Sequence, residues 1–164
     1  MGTTSFSSSF LDALSHDAEQ SSRQRQHKNI HRDYNEPCQH LFNAIGIDSY
    51  IRPHRHSIDP NDECLIAVRG RMALLVFDEL GSVSQVIRFG TQKMTTDSSV
   101  GVGVNIPAGV WHTVISEVLG SILFEVKSGS FNPEQAKEWA AWAPEENSPA
   151  ASEYFMHLKD SIRL

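Results

Sequence analysis

Short runs rich in Val, Ile, Leu and Phe recur between Gly, Pro and Asp breaks from about residue 41 to residue 127. They are Tyr50–His56, Cys64–Val68, Met72–Phe77, Val83–Phe89, Gly101–Ile106, Trp111–Ile115 and Ser121–Lys127. Strands at such regular spacing, with turn residues between them, predict an antiparallel sandwich or barrel. Asp78-Glu79-Leu80-Gly81 offers a hairpin connection between two of the runs.

The flanks read differently. Residues 1–9 are rich in Ser and Thr, which predicts a disordered tail. Residues 10–26 carry a weak polar helix pattern, with Phe10 and Leu14 one turn apart. From 27 to 40 polar residues crowd together without a period, so 10–40 is expected to be a helical and loop segment ahead of a barrel at 41–130. For 131–164 the expectation is a set of C-terminal helices packed on the barrel or on a dimer partner. Asn132-Pro133-Glu134-Gln135 has the cap, the Pro and the Gln of a helix start. Ser148-Pro149 opens a second helix, with Tyr154, Leu158 and Ile162 on one stripe. Trp139 and Trp142 would cover the barrel or a dimer surface.

Length and charge narrow the function classes. The chain has 164 residues, enough for one domain whose core needs no covalent staple. A net charge of −6 argues against a nucleic-acid partner, which selects basic patches. No apolar run approaches the roughly 18 residues a membrane helix needs. Two cysteines, Cys38 and Cys64, and an N-terminus without a basic and then apolar stretch lead to the expectation of a reducing cytoplasm. Cys64 falls on the strand face opposite Glu63 and reads as a core thiol.

The chemistry concentrates in Arg52-Pro53-His54-Arg55-His56. Side chains alternate along a strand, so His54 and His56 project to one side, about 7 Å apart, and can converge on one ion. Glu63 follows, spaced E-x6-G to Gly70, and later comes Gly101-x5-Pro107-x-Gly109-x2-His112. There Pro107 and Gly109 make a tight turn that delivers His112 to a strand start. Three imidazoles and one carboxylate suit one divalent transition metal (Fe, Mn, Co, Ni, Cu or Zn) and leave positions open for water or substrate.

These two segments resemble the paired cupin motifs, G-x5-HxH-x3,4-E-x6-G and G-x5-PxG-x2-H-x3-N. The second is matched except that Ser116 stands at the Asn position. The first departs more: Gly46 lies too far from His54, and six residues separate His56 from Glu63. Asp59 or Asp62 could therefore supply the carboxylate, and Glu63 is preferred for its intact spacing to Gly70. The resemblance implies a mainly β, single-domain cupin, a double-stranded β-helix or jelly-roll barrel.

A narrower resemblance spans most of the chain. Residues 22–31 (SRQRQHKNIH), 50–56 (YIRPHRH), 124–129 (FEVKSG) and 142–146 (WAPEE) are similar to the WbuC family of cupin-fold metalloproteins, found in bacterial polysaccharide gene clusters. Phe131 stands where that family is expected to carry a Tyr.

Strand parity extends the picture. Tyr50 and Arg52 share the face of His54 and His56, and Leu123, Glu125 and Lys127 share a face on the late strand. An inward Arg52 needs an anionic partner, with Glu125 the candidate, or else lines an anion or sugar site with Lys127. The resemblance raises Asn29 and His31 as pocket residues folding over the barrel mouth. His16, His27, His40 and His157 read as surface residues. The expected function is a metal-dependent enzyme, isomerase- or epimerase-like or dioxygenase-like, acting on a small anionic or sugar-like molecule as a homodimer. Glu125 and His31 would carry protons. A non-catalytic sugar or anion sensor is the alternative.

Overall fold

A computed structural model describes residues 2–58, 60–92 and 97–163. The elements run α1 (Ser8–Gln20), β1 (Arg25–Asn29), β2 (Cys38–Ile45), β3 (His54–Arg55), β4 (Glu63–Arg69), β5 (Arg71–Phe77), β6 (Val83–Gly90), β7 (Gly103–Ile106), β8 (His112–Ser116), β9 (Ser121–Ser128), β10 (Glu138–Trp139) and α2 (Ala151–Arg163). They form two antiparallel five-stranded sheets, ordered β1-β2-β9-β4-β7 and β10-β3-β8-β5-β6. This is the mainly β cupin architecture.

The alternation of side chains explains the layers. Met72 and Leu74 of β5 point between the sheets and meet Ile45, Leu65, Phe89, Ile106, Val114 and Leu123. Their neighbours Ala73, Leu75 and Phe77 point outward under Phe155, Leu158 and Ile162 of α2. A strand buried on both faces must read as a nearly continuous apolar run, as Met72–Phe77 does. Each large side chain that α2 buries stabilises the assembly by about 1.5–3 kcal/mol. Across the molecule Leu14 and Ala18 of α1 cover Phe42, Ala44 and Ile122 on the other sheet.

Three expectations are corrected. Residues 25–29 and 38–40, expected as the end of a helix and loop, are strand: they form β1 and the start of β2 in the first sheet. Arg25-Gln26-His27-Lys28-Asn29 is polar throughout because it is an edge strand, and β2 pairs along its whole length with β9. Asn132–Gln135 closes a turn, with Gln135 N–H on the Asn132 carbonyl at 3.1 Å and Glu134 N–H on Asn132 Oδ1 at 3.0 Å. The chain then enters β10, so α2 is the only C-terminal helix among the described residues. Cys64 does lie opposite Glu63, but half-buried on the outer face.

Candidate metal centre

The geometry begins with two glycines of the motifs. Gly70 turns β4 into β5 at φ +75°, and a Cβ there would stand 2.3 Å from Ser121 Oγ and 3.0 Å from Ser121 Cα. The E-x6-G spacing is therefore a steric requirement of the turn that starts where Glu63's strand ends. Gly109, at φ +81°, shapes the turn before β8. Its N–H donates to the His56 carbonyl at 3.1 Å, tying the turn that delivers His112 to the strand that carries His56.

His54, His56 and His112 are all buried, at 4%, 5% and 2% exposure. One ring nitrogen from each lies within 4.8 Å of the others, a set that could hold a metal ion. The second nitrogen of each ring is fixed by a backbone carbonyl. Nδ1–H of His54 donates to Arg52 O at 3.0 Å, that of His112 to Val110 O at 2.9 Å, and that of His56 to Ala136 O at 2.5 Å. A carbonyl can only accept, so each Nδ1 carries a proton, and in the neutral ring Nε2 is left with its lone pair. Burial first, then the neighbouring Lys137 and His112, holds His54 well below its ordinary pKa, so its ring is neutral.

Glu63 stands against this set. Its Oε2 lies 3.4 Å from His56 Nε2 and 3.3 Å from His112 Nε2. Burial pushes its carboxyl up, but contacts with His112, His56 and Glu125 outweigh that and hold it well below the usual range. Half-buried Glu125 is pushed well above the usual range by desolvation and by the Glu63 charge, so it carries the proton the pair shares. His56 Nε2 is buried without a hydrogen-bond partner. Lone pairs and a carboxylate converging in a buried site repel unless a cation sits between them, either protons on the rings or one metal ion. The donor set fits a divalent transition metal.

The second ring of residues divides. Lys127 is buried, in register with Glu63, with Nζ 3.4 Å from His56 Nδ1. Glu125 is in register with Leu65, whose side chain is in the inter-sheet core, which puts it on the inner face. Asn29 and Gln39 lie on that face too, through the registers Asn29↔Leu41↔Glu125 and Gln39↔Lys127↔Glu63.

Arg52 and Tyr50 do not join them. Arg52 donates to Ala140 O at 2.8 Å and lies 3.7 Å from Glu145. Tyr50 donates to Pro144 O at 2.8 Å and packs against Phe155, outside the barrel. The parity argument fails there because β3 starts only at His54, after Pro53, so Tyr50 and Arg52 are not strand residues. Asp62 accepts from Ala108 N at 3.1 Å and from Asn105 Nδ2 at 3.3 Å, bracing the Pro107–Gly109 turn away from the histidines. Asp59 lies outside the described residues.

Three contributors escaped the sequence reading. Trp139 of β10 pairs with His54 and sets its ring 5.5 Å from the imidazole. Lys137 acts electrostatically on His54, Glu125 and His27. The Ala136 carbonyl orients His56. The run Ala136–Trp139 carries no periodic signal, because it is ordered by pairing with β3 rather than by its own pattern.

A profile of the family described as a domain of unknown function, DUF6016, matches residues 6–89, just over half of the chain. That stretch contains His54, His56 and Glu63 and ends before His112. No curated protein matches the chain. Among solved structures it is similar to protein SO0799 from Shewanella oneidensis, at 10% identity and a TM-score of 0.59, over 78% of this chain and 82% of that one. It also matches KdgF from Halomonas sp., at 14% identity and a TM-score of 0.49, over 65% of this chain and 82% of that one. A further match is oxalate decarboxylase from Bacillus subtilis, at 14% identity and 0.49, over 70% of this chain and 27% of that one. Identity this low shows a shared fold alone.

Proposed function

The chain belongs to the DUF6016 family, a domain of unknown function, and we infer its chemistry from the site itself. We propose that it is a metal-binding cupin in which His54, His56, His112 and Glu63 hold one divalent transition metal. The observation that carries this is the set of three Nδ1–H groups locked onto backbone carbonyls, which turns every free ring nitrogen toward one point. The similarity of residues 22–31, 50–56, 124–129 and 142–146 to the WbuC family supports the same reading and suggests a polysaccharide-related setting.

We read the protein as a metal-dependent enzyme acting on a small polar or anionic, sugar-related metabolite. A bound metal would supply Lewis acidity toward a carbonyl or hydroxyl. Glu125, beside Glu63 and pushed up into its protonated form, is the candidate to give or take a proton from a ligand in the barrel. Lys127 and Lys137 add positive charge on the same side and favour an anion. Trp139 and the Ala136 segment cover the histidines and limit water access. A chain that binds such a ligand without turning it over would place the same residues in a sensor.

The test is elemental analysis of chain purified without a histidine tag, beside His54→Ala, His56→Ala and His112→Ala. One metal per wild-type chain and a sharp loss in each variant support the reading; equal occupancy in all four overturns it.

A further inference from the structure

Three buried polar atoms on neighbouring strands and the turn between them have no hydrogen-bond partner: Asn29 Oδ1, His31 Nε2 and Gln39 Oε1. Gln39 and His31 are 6% and 7% exposed, so solvent does not satisfy them. Leaving a buried polar group unmatched costs about 1–3 kcal/mol, and native proteins place few of them. Their roles can be assigned. Gln39 Nε2 donates to Glu36 O at 2.9 Å and Tyr34 O at 3.4 Å, which fixes its Oε1 as an acceptor. His31 Nδ1 lies 3.0 Å from the His40 carbonyl and 3.1 Å from the His40 backbone N–H, so either tautomer is held there and Nε2 can donate to a ligand or accept from it.

Strand register links Asn29 and Gln39 to the cluster. Gln39 is the register partner of Lys127, and Lys127 that of Glu63. Asn29 reaches Glu125 through Leu41. A ligand here meets the amide acceptors Asn29 Oδ1 and Gln39 Oε1, the ring nitrogen His31 Nε2 and the cationic Lys127. Two acceptors call for hydroxyl donors, which a plain carboxylate lacks. The lysine calls for an anionic oxygen, which a plain polyol lacks.

Resting on the metal-binding reading above, we propose that Asn29, His31, Gln39 and Lys127 form a ligand subsite beside the histidines that takes a small polyhydroxylated acid. The carboxylate faces Lys127, hydroxyls donate to Gln39 and Asn29, and a further hydroxyl, which can donate or accept, meets His31 Nε2.

The test is calorimetric titration of the zinc-loaded full chain with gluconate, hexanoate and sorbitol, which separate the carboxylate from the hydroxyls. Gluconate binds at least about tenfold tighter than either control, and Gln39→Leu and His31→Phe each weaken it by about tenfold with zinc content unchanged. Should Gln39→Leu fail to fold, as read by circular dichroism, Asn29→Leu makes the same measurement. Gluconate binding no tighter than both controls, or unchanged in the variants with zinc retained, overturns the subsite and leaves the metal reading standing. A wild-type chain that takes up no zinc overturns the metal reading; differential gluconate binding by that chain and its Gln39→Leu variant then decides the subsite alone.

Discussion

His54 and His112 are register partners on β3 and β8, with ring centroids 4.5 Å apart. The pairing joins the two motif segments of the sequence at one point, and His56 completes it from the same strand segment, 5.7 Å from His112. Each imidazole then points its lone pair inward because its other nitrogen is engaged.

Glu63 and Asp62 are adjacent in sequence and opposite in role. Glu63→Gln removes the charge that faces His56 and His112, and metal affinity falls by more than about tenfold, since even changes outside the ligand set cost that much. Asp62→Asn weakens a brace on the Ala108 N–H, costs about 1 kcal/mol of stability and leaves metal affinity nearly unchanged. Competition with a fluorescent chelator and denaturant titration read the two effects; the reverse ranking would move the carboxylate out of Glu63.

Arg52→Ala affects stability rather than binding. Its guanidinium holds the Ala140 carbonyl, so losing it costs about 1–2 kcal/mol, while metal content stays at the wild-type value. Tyr50→Phe costs about 1 kcal/mol through the Pro144 carbonyl. Denaturant midpoints with elemental analysis on the same samples check both, and loss of metal in Arg52→Ala would return it to the site.

Acid should destabilise the metal-free protein partly through His54. Its folded pKa lies well below 6.5, so as pH falls below about 6.5 the unfolded chain takes up a proton that the folded chain refuses. Unfolding free energy then declines with falling pH by up to about 1.4 kcal/mol per unit from this group, until the folded pKa is reached. Above about 6.5 the contribution is constant. His54→Gln should flatten the pH dependence by about one proton between pH 6.5 and 5, measured by urea unfolding with chelator present; superimposable pH profiles would contradict the assignment.

The residues of the proposed metal site were legible because their constraints are local. His54 and His56 follow from strand alternation, His112 from the Pro107–Gly109 turn, and Glu63 from the spacing that Gly70 imposes against Ser121. Arg52 and Tyr50 were misplaced because alternation was extended through Pro53 into a stretch that is not strand. Gln39, Lys137 and Trp139 were missed because their positions depend on the register of β2 with β9 and of β10 with β3. The Asn132–Gln135 segment carries helix-start residues, and the same residues close a turn when the chain beyond is drawn into a sheet.

The central claim is one metal among His54, His56, His112 and Glu63, and anomalous X-ray scattering from a crystal of metal-loaded protein tests it most directly. The account predicts a single strong peak about 2.0–2.2 Å from the Nε2 atoms of the three histidines and from a Glu63 oxygen. No peak there, or a peak held by other side chains, would contradict it.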